Sequence, residues 1–344
     1  MKYLKKKINF SYKKSPLIIA EISGNHNGNK LRFLKLVESA CKSKADLIKI
    51  QTYEPDDITL SKKNKFLKIK EGIWSGKSYY ELYKKACTPY KWHLPAFKIA
   101  KKYKKIIFST PFSIRAVNFL EELKVPIYKI ASFEITDYNL INYIARKKKP
   151  IIISTGMASL KEIKKAIEII ERHHKKIVIL HCVSNYPTKM EDTDLKKIDI
   201  LKKKFKRYSI GLSDHTNNIY SSIASIPIGV CAIEKHFTID KKKTPDSLFS
   251  INPKMMSDLK TASVEIFNSL KKNKKSKIMH KNLKFRRSIF AKKDLSINER
   301  ITNQNIVCLR PKIGLCASKY FEIIGKKIKK NIKAYDPIFK NHLS

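Results

Sequence analysis

The stretch Tyr208–Phe237, YSIGLSDHTNNIYSSIASIPIGVCAIEKHF, contains one complete unit of the pattern that decides the fold. Its two apolar runs, YSIGLSDH and CAIEKHF, have the length and the branched residues of β-strands, and each carries a histidine at or next to its end. No charged residue lies between Thr216 and Ile233, although the chain has 74 lysines and arginines among 344 residues. The pattern predicts a strand, a buried crossover helix and a second strand, with His215 and His236 at neighbouring strand ends.

Six further runs of the same kind precede this unit. They are LIIAEIS, LIKIQT, KIIFST, IYKIAS, PIIIST and KIVILHC, beginning near Leu17. Segments with apolar residues at three- and four-residue spacing lie between them, as in LKEIKKAIEIIER. Eight strands alternating with helices over roughly 220 residues predict an α/β fold, the (β/α)8 TIM barrel. The interval Glu54–Tyr103 is long enough for more than one helix, which predicts an insertion there.

The composition changes after the last of these strands. We predict that the catalytic barrel domain occupies residues 1–270 and that a lysine-rich linker follows at 271–284. Residues 285–344 contain short strand-like runs and turns, which indicate a small β-rich module. This module is too short to be a catalytic domain by itself.

The charge and the N-terminus limit the classes of partner. A formal net charge of +45 is compatible with nucleic-acid binding. The lysines, however, fall where helices face water and form no arginine-rich stripe with aromatics, so we expect no nucleic-acid partner. The start, MKYLKKKINFSYKK, leads into only four apolar residues, which suits neither a signal peptide nor a membrane span. We therefore expect a cytoplasmic protein, without a membrane partner, whose six cysteines stay reduced.

Polar side chains end nearly every predicted strand, and this is where TIM barrels place their active sites. A single serine or threonine there is most often a turn or helix cap, but agreement over eight strand ends favours a site. Lys49 and Lys129 lie on strands that should be buried, and a buried lysine is costly unless it meets an anion. The hydroxyl groups at the other strand ends belong to Thr110, Ser132, Ser154, Ser184 and Ser213. Together they predict a site for a small ligand that carries phosphate and carboxylate groups.

His215 and His236 suggest a metal site. A lone histidine is usually a satisfied core residue, but two at adjacent strand ends, each beside a carboxylate (Asp214 and Glu234), favour a bound ion. Two protein ligands leave open positions, which suits a catalytic cation that binds a substrate oxygen.

At these residues the sequence resembles the sialic acid synthase family, transferases that condense phosphoenolpyruvate with an acetamido-sugar to make nine-carbon keto acids. The motifs that carry the resemblance run through the whole chain: IIAEISGNHNGN, KIQTY, FSTPFS, YKIASFEI, ISTGMAS, GLSDHT, IEKHFTID and PDSLFS. LRPKIGL and IIGKKIKKNIKAYDPI are similar to the family's C-terminal antifreeze-like (SAF) domain. KIQTYEPDDITL and IWSGKSYYELYKKACTPYKWH look like the branch that makes pseudaminic acid, rather than the N-acetylneuraminate or legionaminate branches.

The resemblance implies roles for individual positions. The positions that match phosphoenolpyruvate-binding residues are Lys49, Thr110, Lys129, Ser132, Ser154, Ser184 and Ser213. Those that match sugar-binding residues are Glu21, Gln51, Tyr186, Asp246 and Arg310, the last reaching the acetamido group across a domain-swapped homodimer. Glu134 and Glu21 match catalytic carboxylates, with Glu134 as the general base.

The resemblance also implies a cofactor and substrates. His215 and His236 match the ligands of a divalent ion, typically manganese, with magnesium or cobalt as alternatives. For the branch that the sequence resembles, the substrates would be phosphoenolpyruvate and 2,4-diacetamido-2,4,6-trideoxy-β-L-altropyranose.

The sequence departs from the family pattern at three places, which affect two flexible turns, and two other functions stay open. Lys243-Thr244 replaces a usual glycine pair, Lys312 replaces the glycine of an RPG motif, and Cys316-Ala317 replaces a His-Pro pair. A Schiff-base aldolase is one alternative, because lysines at barrel ends can attack carbonyl groups. A basic nucleic-acid-binding protein is the other, favoured by charge alone.

Overall fold

The protein is described from a computed structural model that covers residues 8–62, 64–240, 242–271 and 281–344. The chain divides into two compact units, Met1–Lys271 and Lys272–Ser344. Most of the linker predicted at 271–284 lies outside the described residues. Each unit has its own hydrophobic core.

Eight parallel strands of the first unit close into a barrel in chain order, with β8 paired to β1. The predicted (β/α)8 TIM barrel is therefore confirmed. The strands are β1 Leu17–Glu21, β2 Leu47–Thr52, β3 Ile106–Pro111, β4 Tyr128–Ile130, β5 Ile151–Ser154, β6 Ile177–Cys182, β7 Ser209–Asp214 and β8 Ala232–His236.

Nine helices of the first unit, among its described residues, accompany this barrel. They are α1 Lys30–Lys42, α2 Tyr79–Ala86, α3 His93–Lys102, α4 Ile114–Glu122, α5 Tyr138–Ala145, α6 Leu160–Glu171, α7 Lys197–Lys204, α8 Tyr220–Ile228 and α9 Pro253–Ser269. Two of them, α2 and α3, lie between β2 and β3, so the predicted insertion does hold more than one helix. Within the described ranges, none of the helices combines the length and the hydropathy that a bilayer-spanning segment requires.

Successive side chains of each strand point alternately into the barrel and out toward the helices, and this alternation determines which polar groups face the interior. In β2, Ile48 and Ile50 pack outward against the helices, whereas Leu47, Lys49 and Gln51 point into the barrel. The inward apolar residues come first along each strand and fill the amino-terminal half of the barrel. The inward polar residues come last and therefore gather at the carboxyl-terminal end.

The close approach of strands β7 and β8, the last two of the barrel, depends on a glycine. A Cβ atom on Gly211 would lie 2.5 Å from the carbonyl oxygen of Ala232, so only glycine lets these two strands approach this closely. The charge-free helix α8 buries one face, including Ser222 and Ile226, between the barrel and α9. Its opposite face is exposed, with Tyr220 at 66%. The prediction of a buried helix is therefore right for one face only.

The second unit is small and rich in turns. Strands β9 (Ser288–Ala291) and β10 (Ile306–Leu309) pair in antiparallel fashion, and a single short helix, α10 (Tyr320–Ile323), follows them among the described residues. Its core consists of isoleucines and leucines from across the unit, among them Ile289, Leu295 and Ile338.

Candidate active site

A cavity of about 330 Å³ opens at the carboxyl-terminal end of the barrel strands. Most of the site residues predicted from the sequence line it: Lys49, Gln51, Lys129, Ser132, Glu134, Ser154, Tyr186, Ser213, His215, His236 and Asp246. Glu21, Thr110 and Ser184 lie directly behind this lining, in contact with the cavity residues Gln51, Lys49 and Cys182 respectively. Of the predicted site residues only Arg310 belongs to the second unit.

Lys49 lies between two buried carboxylates. Its Nζ is 2.8 Å from Oε2 of Glu21 and 3.4 Å from Oε1 of Glu234, and it donates a hydrogen bond to Thr110 at 3.3 Å. Burial lowers the pKa of Lys49, but the two carboxylates outweigh this effect and raise it overall. The ammonium group therefore stays charged, and the two carboxylates balance it.

Lys129 has a different environment. Its Nζ donates to the Ser154 hydroxyl at 2.6 Å and to the carbonyl oxygen of Ile130 at 3.1 Å. Within the described residues no carboxylate lies within 4.0 Å of this nitrogen, and burial lowers the pKa of the side chain. A buried cation without an ionic partner is unfavourable unless a ligand supplies the negative charge.

The backbone beside Lys129 is shaped to bring hydroxyl and N–H groups together. Strand β4 ends at Ile130, and a 3₁₀ turn at Ser132–Glu134 follows, which explains why Lys129 and Ser132 face the same cavity despite their odd spacing. The Gly156 N–H donates to the Ser132 hydroxyl at 3.1 Å. A Cβ on Gly156 would lie 2.1 Å from Oγ of Ser184 and 2.9 Å from Oγ of Ser132, so a side chain here would displace both hydroxyls.

Glu134 presents a carboxyl group with an unused oxygen. Its Oε2 is buried and has no hydrogen-bond partner. Burial raises the pKa of this side chain to about 7. A carboxyl group that changes protonation near neutral pH is suited to accept or donate a proton during a reaction.

His215 and His236 face each other, with 5.3 Å between the ring centroids. Nδ1 of His215 is 2.9 Å from the carbonyl oxygen of Val183, so this nitrogen donates and Nε2 is the nitrogen left to face a ligand. Nδ1 of His236 is buried without a hydrogen-bond partner, and burial holds the pKa of this imidazole well below its usual range. The Asp246 carboxylate lies 3.9 Å from that nitrogen.

This donor set fits a divalent cation. A neutral imidazole with a buried free nitrogen and a second imidazole oriented through its other nitrogen are the forms that bind metals. In the part of the chain that the structure describes, no group of three or more histidine, cysteine or acidic side chains is arranged for a metal. Solvent or substrate oxygens would have to complete the coordination of an ion held by His215 and His236.

The prediction that Asp214 lies beside the metal site is wrong. Its Oδ1 is 3.1 Å from Nζ of Lys235, on the outer face of the barrel. Side chains alternate along a strand, so Asp214 points away from the cavity into which the next residue, His215, points. Glu234 does point inward, and there it pairs with Lys49.

Several cavity residues were not predicted from the sequence. Cys182 ends β6 with its Sγ 3.8 Å from Nδ1 of His215, and its place at the end of the run KIVILHC could have indicated this. Trp74 and Phe249 come from loops, where no strand periodicity marks the side chains that face the site. Trp74 is fixed by a hydrogen bond from Nε1 to the carbonyl oxygen of Pro245, at 3.2 Å.

The altered turn before Asp246 keeps that carboxylate in the cavity. Thr244, which replaces a glycine of the family pattern, donates a hydrogen bond to Oδ1 of Asn25 at 2.6 Å. Oδ2 of Asp246 accepts a hydrogen bond from the Gly24 N–H at 2.8 Å. The threonine therefore adds a contact that anchors the turn.

Arg310 is described within the second unit alone. It lines a shallow pocket there with Arg286, Arg287 and Cys316. Its predicted contact with a sugar stays a prediction.

Comparisons with known proteins match both units of the chain to described families. The model of the NeuB family matches residues 36–275, and the model of the SAF domain matches residues 286–344. The chain is 40% identical to pseudaminic acid synthase of Campylobacter jejuni, over 96% of this chain and 97% of that protein. It is also 40% identical to pseudaminic acid synthase of Helicobacter pylori, over 94% and 96% of the two chains.

More distant relatives share the same architecture. N,N'-diacetyllegionaminic acid synthase of Campylobacter jejuni is 36% identical over 93% of this chain and 98% of that protein. The crystal structure of N-acetylneuraminic acid synthetase from Leptospira borgpetersenii, in complex with citrate, superposes with a TM-score of 0.70 at 30% identity. That superposition covers 78% of this chain and 90% of the other.

Proposed function

This chain belongs to the NeuB family, and from that membership we propose that it acts as a pseudaminic acid synthase. The reaction joins phosphoenolpyruvate to 2,4-diacetamido-2,4,6-trideoxy-β-L-altropyranose and gives pseudaminic acid and phosphate. The observation that carries the proposal is Lys129, a buried ammonium group without a carboxylate partner in the described cavity. The similarity to proteins of that name supports the choice of sugar.

Phosphoenolpyruvate would bind beside Lys129, whose ammonium group has no carboxylate in ion-pair contact among the described residues. Lys129 and the hydroxyls of Ser132 and Ser154 offer donors to the phosphate and carboxylate oxygens of this substrate. Lys49 contributes less net charge because Glu21 and Glu234 balance it. The anion therefore lies nearer to Lys129 than to Lys49.

The sugar would lie between this anion site and the two imidazoles. Gln51, Tyr186 and Asp246 supply polar groups to the same cavity. His215 and His236 would hold a divalent cation, which when bound supplies electrophilic activation of the open-chain aldehyde. Holding the two substrates side by side contributes much of the rate acceleration.

The chemistry then needs one proton acceptor. The methylene carbon of phosphoenolpyruvate bonds to the aldehyde carbon, and the aldehyde oxygen takes the electron pair of the opened C=O bond and then a proton from solvent. The cationic centre left at C2 of phosphoenolpyruvate is attacked by water. Glu134 takes the proton of that water through its unpartnered oxygen. The tetrahedral intermediate loses phosphate by C–O cleavage, so one water is consumed for each phosphate released.

The proposal includes a domain-swapped homodimer and a cytoplasmic location. In such a dimer Arg310 of each SAF domain would meet the acetamido group of a sugar bound in the partner's barrel. All six cysteines are free, as expected of a protein in a reducing compartment.

A phosphate-release assay tests the proposal. The purified chain, with manganese and phosphoenolpyruvate, is given the diacetamido-trideoxy-altrose or N-acetylmannosamine, and kcat/KM is compared. We expect the altrose derivative to be preferred at least about tenfold. A preference for N-acetylmannosamine would contradict the branch but not the family. No phosphate release with either sugar, together with borohydride trapping of pyruvate, would instead support an aldolase.

A further inference from the structure

The cavity has two chemically different sides. The strand ends supply charged and polar groups such as Lys49, Lys129 and Glu234. The insertion between β2 and β3 supplies the other side, which we name the apolar wall. Its members are Ile58, Ile69, Trp74, Tyr79, Leu82, Tyr83 and Ala86.

The wall excludes charge although its sequence surroundings are rich in it. Ile69 is buried, whereas the flanking Lys68 and Lys70 are exposed. Leu82 and Tyr83 precede Lys84 on α2, which is exposed as well. The wall residues therefore face the cavity, whereas the lysines beside them face water.

Contacts with the rest of the barrel hold the wall in place. The Trp74 indole bonds the loop that carries Asp246 through Pro245. Arg115 on α4 pairs with Glu54 at 3.0 Å and with Asp57 at 3.2 Å, at the start of the insertion. A wall supported from several elements can select among ligands, because its side chains are already positioned before binding.

The chemistry of the wall indicates what it contacts. A sugar hydroxyl pressed against isoleucine and leucine loses its bonds to water and gains none. A methyl group in the same place buries apolar surface, and the tyrosine hydroxyls can still bond an amide. The wall therefore favours a sugar whose hydroxyls are replaced by methyl and acetamido groups.

We propose that the apolar wall determines the sugar specificity of this enzyme by receiving the C6 methyl and second acetamido groups of a trideoxy sugar. This inference rests on the proposed function and deepens it. The two segments that resemble the pseudaminic acid branch, Lys49–Leu60 and Ile73–His93, contain every wall residue except Ile69. The two segments on which that resemblance rests thus supply most of the wall.

A matched pair of variants in the same loop tests the wall. Ile58 lines the cavity, whereas Leu60, two residues later, is 64% exposed and outside the wall. We expect Ile58→Asn to lower kcat/KM for the diacetamido-trideoxy-altrose about tenfold to 100-fold, because a polar group replaces an apolar contact. The KM for phosphoenolpyruvate should not change, and kcat/KM for N-acetylmannosamine should fall less. Leu60→Asn should leave all of these values within about twofold.

Ile58→Thr, a smaller change, provides the same comparison if Ile58→Asn does not fold, as judged by circular dichroism. Equal losses for the two sugars, or equal losses in the Ile58 and Leu60 variants, would overturn the role of the wall. That result would leave the proposed function intact as long as the wild-type chain uses the diacetamido sugar. A wild-type preference for N-acetylmannosamine would overturn the proposed function itself, whatever the variants do.

Discussion

Lys235 and Asp214 form a buried ion pair, with 3.1 Å between Nζ and Oδ1, on the outer face of the adjacent strands β8 and β7. Each is the chain neighbour of a histidine, since Asp214 precedes His215 and Lys235 precedes His236. Lys235 also donates to the carbonyl oxygen of Thr216, at 2.5 Å. The pair fixes the two strands to each other from outside while the imidazoles face each other inside.

Lys235→Met should destabilise the protein by about 3–5 kcal/mol, because it leaves the Asp214 carboxylate buried without a cationic partner. Urea denaturation followed by circular dichroism measures this free energy of unfolding. Lys254→Met is the matched control: Lys254 pairs with Asp258 at 2.8 Å on the exposed surface of α9, and its loss should leave the midpoint unchanged. Equal shifts in the two variants would contradict the importance of the buried pair.

Removal of the metal or of one imidazole should stop the reaction. We expect treatment with a chelator, or His215→Ala, to lower phosphate release at least about 100-fold, because electrophilic activation of the aldehyde is lost. Electron paramagnetic resonance of added Mn²⁺ should show weakened binding in the variant. His173 follows the end of α6, contacts Asn142 and does not line the cavity, so His173→Ala should behave as the wild type. Full activity in metal-free buffer would remove the cation from the mechanism.

Lys129→Met should weaken the use of phosphoenolpyruvate while preserving the fold. Loss of charge-assisted hydrogen bonds predicts a fall in kcat/KM for phosphoenolpyruvate of about tenfold to 100-fold. The free energy of unfolding should hold or rise, since an unpaired buried cation is replaced by an apolar side chain. Lys102→Met, on the exposed surface of α3, is the control. Borohydride-dependent labelling of Lys129 by pyruvate would contradict a role in anion binding and support Schiff-base chemistry.

Glu134 should set the acidic side of the pH profile. Because a general base acts when ionised, kcat/KM should fall about tenfold for each pH unit below about 7, the pKa to which burial raises this group. Glu134→Gln should lose most of the activity, and its remaining activity should lack this acidic limb. A wild-type profile that stays flat down to pH 5 would contradict the assignment.

The same pKa has a consequence for stability. The unfolded chain ionises Glu134 near 4.5, whereas the folded chain keeps the proton until about 7. Folding therefore becomes less favourable as the pH rises through that interval, and the loss is complete above it. Glu134→Gln should accordingly gain stability relative to the wild type between pH 5 and pH 8. Thermal unfolding at both values measures the difference.

Arg310→Ala should raise the KM for the sugar and leave the KM for phosphoenolpyruvate unchanged, if the SAF domain completes the sugar site. A mixing experiment tests whether two chains build each site. Random dimers of Arg310→Ala and Lys129→Met chains should recover up to about a quarter of wild-type activity, because half of the dimers then contain one intact site. No recovery on mixing, with dimers present, would show that Arg310 acts on its own barrel or on none.

The sequence alone could determine the barrel and the inward-facing polar positions. Strand alternation places Lys49 with Gln51, Ser213 with His215, and Glu234 with His236 on single faces, and eight such ends must converge once the strands are parallel. The same alternation, applied strictly, would have placed Asp214 outside. Which residues near the strand ends face the cavity was therefore predictable, because side chains point to alternate faces along a strand.

Only the tertiary structure decided which of these groups meet, and what faces them. The contact between Gly24 and Asp246, and the ion pair of Lys49 with Glu234, join residues that are far apart in the sequence. The apolar wall comes from an insertion without strand periodicity, so its inward side is set by packing against the barrel. A period in the sequence fixes the direction of a side chain, but only the closure of the sheet and the docking of its loops fix the distance to a partner.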